Sequence, residues 1–254
     1  MSRRWQLCVL TLIALAPLAA RAADEPPTAA APVVTAASGT AAASQSTEQP
    51  AETPAASTWK SLEIRPGGSW VPCQFGGDGT VELKDGVISL GFGDPLTGVR
   101  WEGEFPKIDY EISLEARRTS GFDFFCGLTL PVDDQRFSLI LGGWGGSLIG
   151  ISSIDGLDAS NNETMLIREF EQERWYKVRM EVSQTHLRAW LDDKKIVDWE
   201  RDGRPLDIRG EMEQTSPVGI AAFQCESEIR NVRVRRLNEK PDAEKPQSAP
   251  QPPK

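Results

Sequence analysis

Strict alternation of polar and apolar residues marks Asp109-Tyr-Glu-Ile-Ser-Leu-Glu-Ala-Arg117: Tyr110, Ile112, Leu114 and Ala116 share one phase, Glu111, Ser113, Glu115 and Arg117 the other. A period of two belongs to an extended strand with one covered and one open face. The same period returns in Trp175–Val182 and in His186–Leu191, where Arg188 and Trp190 share the open phase with His186. Further β-rich runs are Val81–Leu83, Val87–Phe92, Gly98–Trp101, Asp123–Leu130, Arg136–Leu141, Ser147–Ser152, Met165–Phe170, Lys195–Trp199, Val218–Phe223 and Ile229–Leu237. Turn-forming Lys84-Asp-Gly86, Gly142–Gly146 and Asp192-Asp-Lys194 separate neighbours. No stretch longer than about two turns repeats apolar residues at helical spacing. Many short strands closed by hairpin turns predict an all-β fold, a jelly-roll sandwich of two antiparallel sheets.

The two ends differ from this pattern. Arg3 and Arg4 precede an apolar run from Leu7 to Ala20, and Ala20-Arg-Ala22 supplies a small-x-small cleavage pattern, so residues 1–22 read as a signal peptide. The run is interrupted by Pro17 and is too short to cross about 30 Å of hydrocarbon. No other long apolar run follows, so no transmembrane segment is expected, and the protein is expected to be exported to a periplasmic or extracellular space. Residues 23–57 are dominated by Ala, Pro, Thr and Ser, and residues 238–254 by Pro with charged and small residues. Such compositions bury too little apolar surface to offset chain entropy and predict a disordered linker and tail around a folded domain over 58–237.

Loss of Arg3, Arg4 and Arg21 with the signal takes the formal net charge from −9 to −12. So acidic a chain is a poor partner for nucleic acid. Cys8 leaves with the signal, and Cys73, Cys126 and Cys225 allow at most one internal disulfide. Cys126 stands in phase with Phe124, Leu128 and Leu130, which favours a small buried thiol. No cysteine spacing has a zinc signature.

The order of runs, with Trp59-Lys-Ser-Leu62, Asp109–Arg117, Ser120-Gly121 leading into Phe124–Leu128, Arg174-Trp-Tyr-Lys-Val-Arg179, Leu187-Arg-Ala-Trp-Leu-Asp-Asp193, Val218-Gly-Ile220 and Ile229-Arg-Asn-Val-Arg-Val234, resembles the 3-keto-disaccharide hydrolase domain family within the concanavalin A-like lectin/glucanase superfamily. The resemblance covers most of 58–237. It implies a concanavalin A-like jelly roll in an exported, sugar-handling protein, whose catalytic relatives cleave glycosides already oxidised to a ketone at carbon 3. The ketone acidifies the adjacent C–H, a base removes that proton, the glycosidic oxygen is expelled, and water is added afterwards. Where family members usually carry Glu-x-Gln on the strand after the Ser-Gly segment, this chain reads Arg136-Phe-Ser-Leu-Ile140.

On the enzyme reading, Glu111 or Glu115 supplies the base and Arg117 holds developing negative charge, with Ser113 beside them. The alternative is a solvated sheet face of compensating charges. Glu111 and Glu115 lie about 13 Å apart along one strand, beyond the roughly 5–9.5 Å that paired glycosidase carboxyls need. Trp144, in Gly142-Gly-Trp-Gly-Gly146, offers an indole for a pyranose to stack on; four glycines also suit a plain hairpin turn. Arg188 and Trp190 are further candidates for substrate contact, or for covering a sheet edge. His186 is the single histidine, which excludes multi-histidine metal sites. The loop Asp155-Gly-Leu-Asp-Ala-Ser-Asn-Asn-Glu163 gathers hard oxygen ligands that suit Ca²⁺ without EF-hand spacing; Asp155 and Asn161 could equally bond a glycan, or the loop be a solvated turn. Three readings stay open: cleavage of 3-keto-glycosides, noncatalytic glycan binding, and an envelope interaction role.

Overall fold

The computed structural model describes residues 58–237. The expected signal peptide (1–22), linker (23–57) and tail (238–254) lie outside the described residues. Within 58–237 the chain forms two antiparallel sheets packed face to face. Sheet I runs β13 (Lys194–Glu200), β12 (His186–Leu191), β11 (Tyr176–Val182), β6 (Tyr110–Gly121), β15 (Cys225–Arg236), β4 (Val87–Leu90) and β3 (Val81–Lys84), and β1 (Lys60–Ser61) pairs with the last part of β15. Sheet II runs β10 (Leu166–Ile167), β9 (Leu148–Ser152), β8 (Gln135–Gly142), β7 (Cys126–Val132), β14 (Gly219–Phe223), β5 (Leu96–Trp101) and β2 (Trp70–Pro72). No helix among the described residues is long and apolar enough to cross a membrane.

The alternating phase of β6 sets the interior. Leu114 lies opposite Val178 of β11, and Ile112 opposite Val234 of β15, and all four are buried between the sheets. Leu128, Leu139, Ile151 and Ile220 of sheet II meet them from the other side. Each such side chain contributes about 1.5–3 kcal/mol when fully buried. Tyr110 bridges the layers: its ring is fully buried, its hydroxyl donates to the Pro131 carbonyl at 2.7 Å, and burial holds its pKa well above the usual value.

The sheets differ on their outer faces. Sheet I leaves its charged phase open. β7 and β9 of sheet II are buried on both faces: Ala159 and Thr164 of one loop close over Gly150 of β9, and a segment carrying a 3₁₀ turn (Gly210–Thr215) brings Met212 and Thr215 over Gly127 and Thr129 of β7. There Leu96, Ile208, Met212 and Ala221 form a second apolar cluster with Phe75, Phe124 and Phe223. Gly127 makes this approach possible: a Cβ there would stand only 3.0 Å from the Phe124 ring and 3.1 Å from Met212 Cε.

Several expected boundaries move. The run expected over Asp123–Leu130 forms a strand at Cys126–Val132, and Met165–Phe170 contracts to Leu166–Ile167. β1 and β2 were not signalled, since two- and three-residue strands are too short to show a period. Gly142–Gly146 is a compact coil with positive φ at Gly142 (78°), Trp144 (50°), Gly145 (89°) and Gly146 (109°). Glycine is the residue that takes such angles at little cost. Cys73, Cys126 and Cys225 are all free and buried.

Candidate functional site

Where the 3₁₀ turn fails to cover sheet II completely, a cleft of about 200 Å³ opens beside β8 and β9. Its walls are apolar: Phe124, Ile140, Met212 and Phe223. Phe124 and Phe223 pack at 5.6 Å between ring centroids. Trp144, 43% exposed, stands at the rim. Asp123 fixes this rim, since Oδ2 accepts from the Gly145 N–H (3.0 Å) and Oδ1 from its neighbour's, Phe124 N–H (2.7 Å). Arg118, 6% exposed, donates to the Asp123 carbonyl at 3.1 Å.

The floor is polar. Ser138 of β8 and Ser152 of β9 are direct cross-strand partners, and both are about 1% exposed. Ser138 Oγ lies 2.9 Å from Thr129 Oγ1, which lies 2.7 Å from Thr215 Oγ1; Thr215 donates to the Met212 carbonyl at 2.6 Å. Ser152 Oγ has no hydrogen-bond partner among the described residues. At the mouth Arg209 pairs with Glu211 (2.5 Å) and with Asp158 (3.0 Å). Burial acts to raise the Asp158 pKa, but hydrogen bonds from Ser160 and Asn161 and the charge of Arg209 outweigh it and hold the carboxyl below its ordinary value.

Glu111, Ser113, Glu115 and Arg117 all occupy the open face of sheet I, as their phase implies. That face points away from the cleft, so the structure does not bring them together with Trp144. Glu111, 1% exposed, is clamped between Arg179 and Arg235. Glu115 accepts from Arg230 (2.8 Å) and Asn231 (3.0 Å); burial tends to raise its pKa, and these bonds with nearby Lys177 lower it on balance. Arg117 binds Glu228 (2.6 Å) and Glu173 (3.1 Å) and lies over Trp175. Ser113 stands opposite Arg179 and Arg233 in the neighbouring strands. Arg188 bridges Glu181 and Asp198, which raise its pKa, and Trp190 is stacked under Arg179. Ser113, Glu115 and Trp190 do come together, in a second hollow of about 220 Å³ on the open face of sheet I, with Trp59, Arg179 and Asn231 beside them. Period two reveals which residues share a face, but not that sheet II carries an apolar cleft on the other side.

Asp155 donates its backbone N–H to the Pro205 carbonyl at 2.8 Å. Asn161 Nδ2 bonds Asp158 Oδ1 (2.8 Å) and Ser160 Oγ (2.9 Å), so much of this loop's oxygen chemistry turns inward. Among the described residues, no three His, Cys, Asp or Glu side chains gather to hold a metal ion. His186 Nδ1 meets Thr185 Oγ1 at 3.0 Å, away from the cleft. Of the cleft residues, only Trp144 was singled out from sequence as a ligand contact. Ser138 and Ile140 carried a usable signal, because they lie in the stretch that departs from the family's Glu-x-Gln. Ser152, Arg209, Glu211, Met212 and Phe223 carried none, being assembled from three distant segments.

The family description "3-keto-alpha-glucoside-1,2-lyase-like domain" matches residues 57–235. None of the curated proteins matches the chain. Among solved structures, a protein of unknown function with a galectin-like fold from Bacillus subtilis superposes with a TM-score of 0.50 at 9% identity, covering 72% of this chain and 97% of its own. The carbohydrate-binding module CBM66 of Bacillus subtilis gives 0.45 at 11% identity over 66% and 95%. Domain 4 of an extracellular arabinanase from Geobacillus stearothermophilus, in complex with arabinotriose, gives 0.43 at 13% over 66% and 82%. The galectin-like structure agrees with the jelly roll described above.

Proposed function

The chain belongs to the 3-keto-α-glucoside-1,2-lyase-like domain family, and from that premise we propose that it is an exported carbohydrate-active protein whose cleft on sheet II receives one sugar residue. The observation that carries this reading is the cleft's composition: aromatic and aliphatic walls, a tryptophan at the rim and hydroxyls on the floor. A pyranose has the complementary character, with C–H faces that stack on aromatic rings and hydroxyl edges that need polar partners. A volume of about 200 Å³ is below the range of drug-sized pockets and suits a single ring. The test is saturable binding of monosaccharides and short glycans to the full chain, with Trp144→Ala as the comparison. Binding unaffected by that change, or no binding by any saccharide, contradicts the reading.

A second reading is cleavage of 3-keto-glycosides, favoured by the family and by Glu211 standing beside Arg209 at the mouth. Glu211 removes the proton next to the ketone, and the electron pair forms an enolate that Arg209 stabilises. Collapse of the enolate breaks the C–O bond and expels the glycosidic oxygen, which takes the proton back from Glu211; water then adds across the double bond. Glu115 is not placed to act in this cleft, because it lies on the outer face of sheet I, among Arg230, Asn231 and Lys177. Incubation with 3-keto-disaccharides beside their unoxidised parents, with and without a chelator, decides between the readings and tests any need for Ca²⁺. Turnover confined to the keto sugars supports cleavage; saturable binding without product supports the binding module.

A further inference from the structure

The hydroxyls beneath the cleft have a fixed direction. The Met212 carbonyl can only accept, so Thr215 spends its one proton there. Thr215 Oγ1 therefore accepts from Thr129, and Thr129 Oγ1, its own proton used, accepts from Ser138. Ser138 is left with no proton for the cleft and presents lone pairs alone. Beside it Ser152 keeps both its donor and its acceptor capacity, because no group of the described chain engages its hydroxyl. The two serines are cross-strand partners on the face of sheet II that forms the cleft floor. Directly opposed Cβ atoms are about 4.5–5.5 Å apart, so one oxygen can sit within hydrogen-bond reach of both.

We propose that Ser138 and Ser152 form a reader for one sugar hydroxyl, which donates to Ser138 and accepts from Ser152. This rests on the saccharide reading of the cleft and adds its selection rule. A hydroxyl satisfies both serines. A ketone, fluorine or ether oxygen at that position sets acceptor against acceptor at Ser138, and a buried polar group left unmatched loses more than the bond itself. If the protein cleaves 3-keto-glycosides, the ketone faces away from Ser138, and the hydroxyl read on the floor belongs to another carbon of the ring.

The relay also supplies its own control. Thr129→Val keeps the side-chain shape while removing the acceptor for the Ser138 proton, which leaves that proton free to turn into the cleft. The experiment uses the full chain and methyl pyranosides of glucose, galactose, mannose and xylose, each beside its monodeoxy and monodeoxyfluoro derivatives, with affinities from ligand-observed NMR titration. For a pyranoside that binds, replacement at one ring position weakens binding about tenfold or more, and the fluoro derivative at that same position recovers most of the loss in Thr129→Val. Ser138→Ala, a second variant, flattens the distinction between parent and fluoro derivative. Binding in which no position shows this discrimination, or in which Thr129→Val changes nothing although it folds by circular dichroism, overturns the reader while leaving the saccharide site in place. No binding by any pyranoside overturns the saccharide reading and the reader with it.

Discussion

The guanidinium of Arg179 lies flat on the indole of Trp190, its central carbon 3.5 Å from the ring centroid, while the same group neutralises Glu111 from the strand alongside. One arginine therefore closes a tryptophan face and compensates a buried carboxylate. Arg235 serves Glu111 from the other flank and stacks over Trp59 at 4.7 Å. The open face of sheet I is thus a lattice in which charged and aromatic groups are largely spoken for by one another.

Removing Arg179 should expose that coupling. Arg179→Ala leaves Glu111 buried with one partner in place of two and uncovers Trp190. We expect a loss of about 2 kcal/mol in urea unfolding, below the full cost of stranding a buried charge because Arg235 remains. A change in native tryptophan emission should accompany it. An effect under a few tenths of a kcal/mol would show that Glu111 is reached by solvent.

Acid should act on Glu163 in a definite direction. Its hydrogen bonds with Arg204, outweighing burial and helped by Trp199 Nε1 at 2.8 Å, lower its pKa from the ordinary 4.5 to about 2. A depressed folded-state value means that the contribution is complete above about 4.5 and is lost as pH falls from there through 2. Stability measured by denaturation across that window should fall less steeply with acid in Glu163→Gln than in the unaltered chain.

The three thiols should be silent in the folded protein. Burial pushes Cys73, Cys126 and Cys225 each up to about 12, and thiolate is the reactive form. A chromogenic disulfide reagent at pH 8 should label none of them in native protein, and all three in guanidinium. Rapid labelling of the native state would place a cysteine at the surface.

Function should divide between the faces. Glu115→Gln, on sheet I, should leave saccharide affinity or turnover unchanged within about twofold and cost about 1 kcal/mol of stability as a partly exposed pair is lost. Trp144→Ala should lower saccharide affinity about tenfold with little change in unfolding midpoint, since the ring is largely outside the core. The reverse outcome would move the site to sheet I.

The sandwich was legible because Tyr110, Ile112, Leu114 and Ala116 alternate with charged partners, and a half-open sheet must write that alternation into its sequence. Sheet II is less transparent. Gly127 and Thr129 lie on its outer face yet are buried, because Met212 and Thr215 of the 3₁₀ turn pack over them. A strand buried on both sides loses its period, and its outer face then looks unremarkable. The same covering layer makes the apolar cleft, so attention to the most regular strand leads to Glu111 and Glu115 on the opposite face, where Glu115 borders a separate hollow on sheet I. Trp144 was identifiable because glycines on both sides of a tryptophan stand out by composition alone. Ser152 was invisible, since its significance lies in having no partner.

The pairing of β1 with β15 has a mechanical consequence. Lys60 lies opposite Val234 in an antiparallel ladder, with Ser61 opposite Arg233, so the chain enters and leaves the domain at the same end of one short zipper. Tension between the flanking segments would load those hydrogen bonds one after another instead of together. The first strand would peel away, resisted by Trp59 against Arg233 and Arg235 and then by buried Leu62, whose N–H donates to the Val232 carbonyl, while the cleft between β8, β9 and the Met212 turn stays out of the line of force.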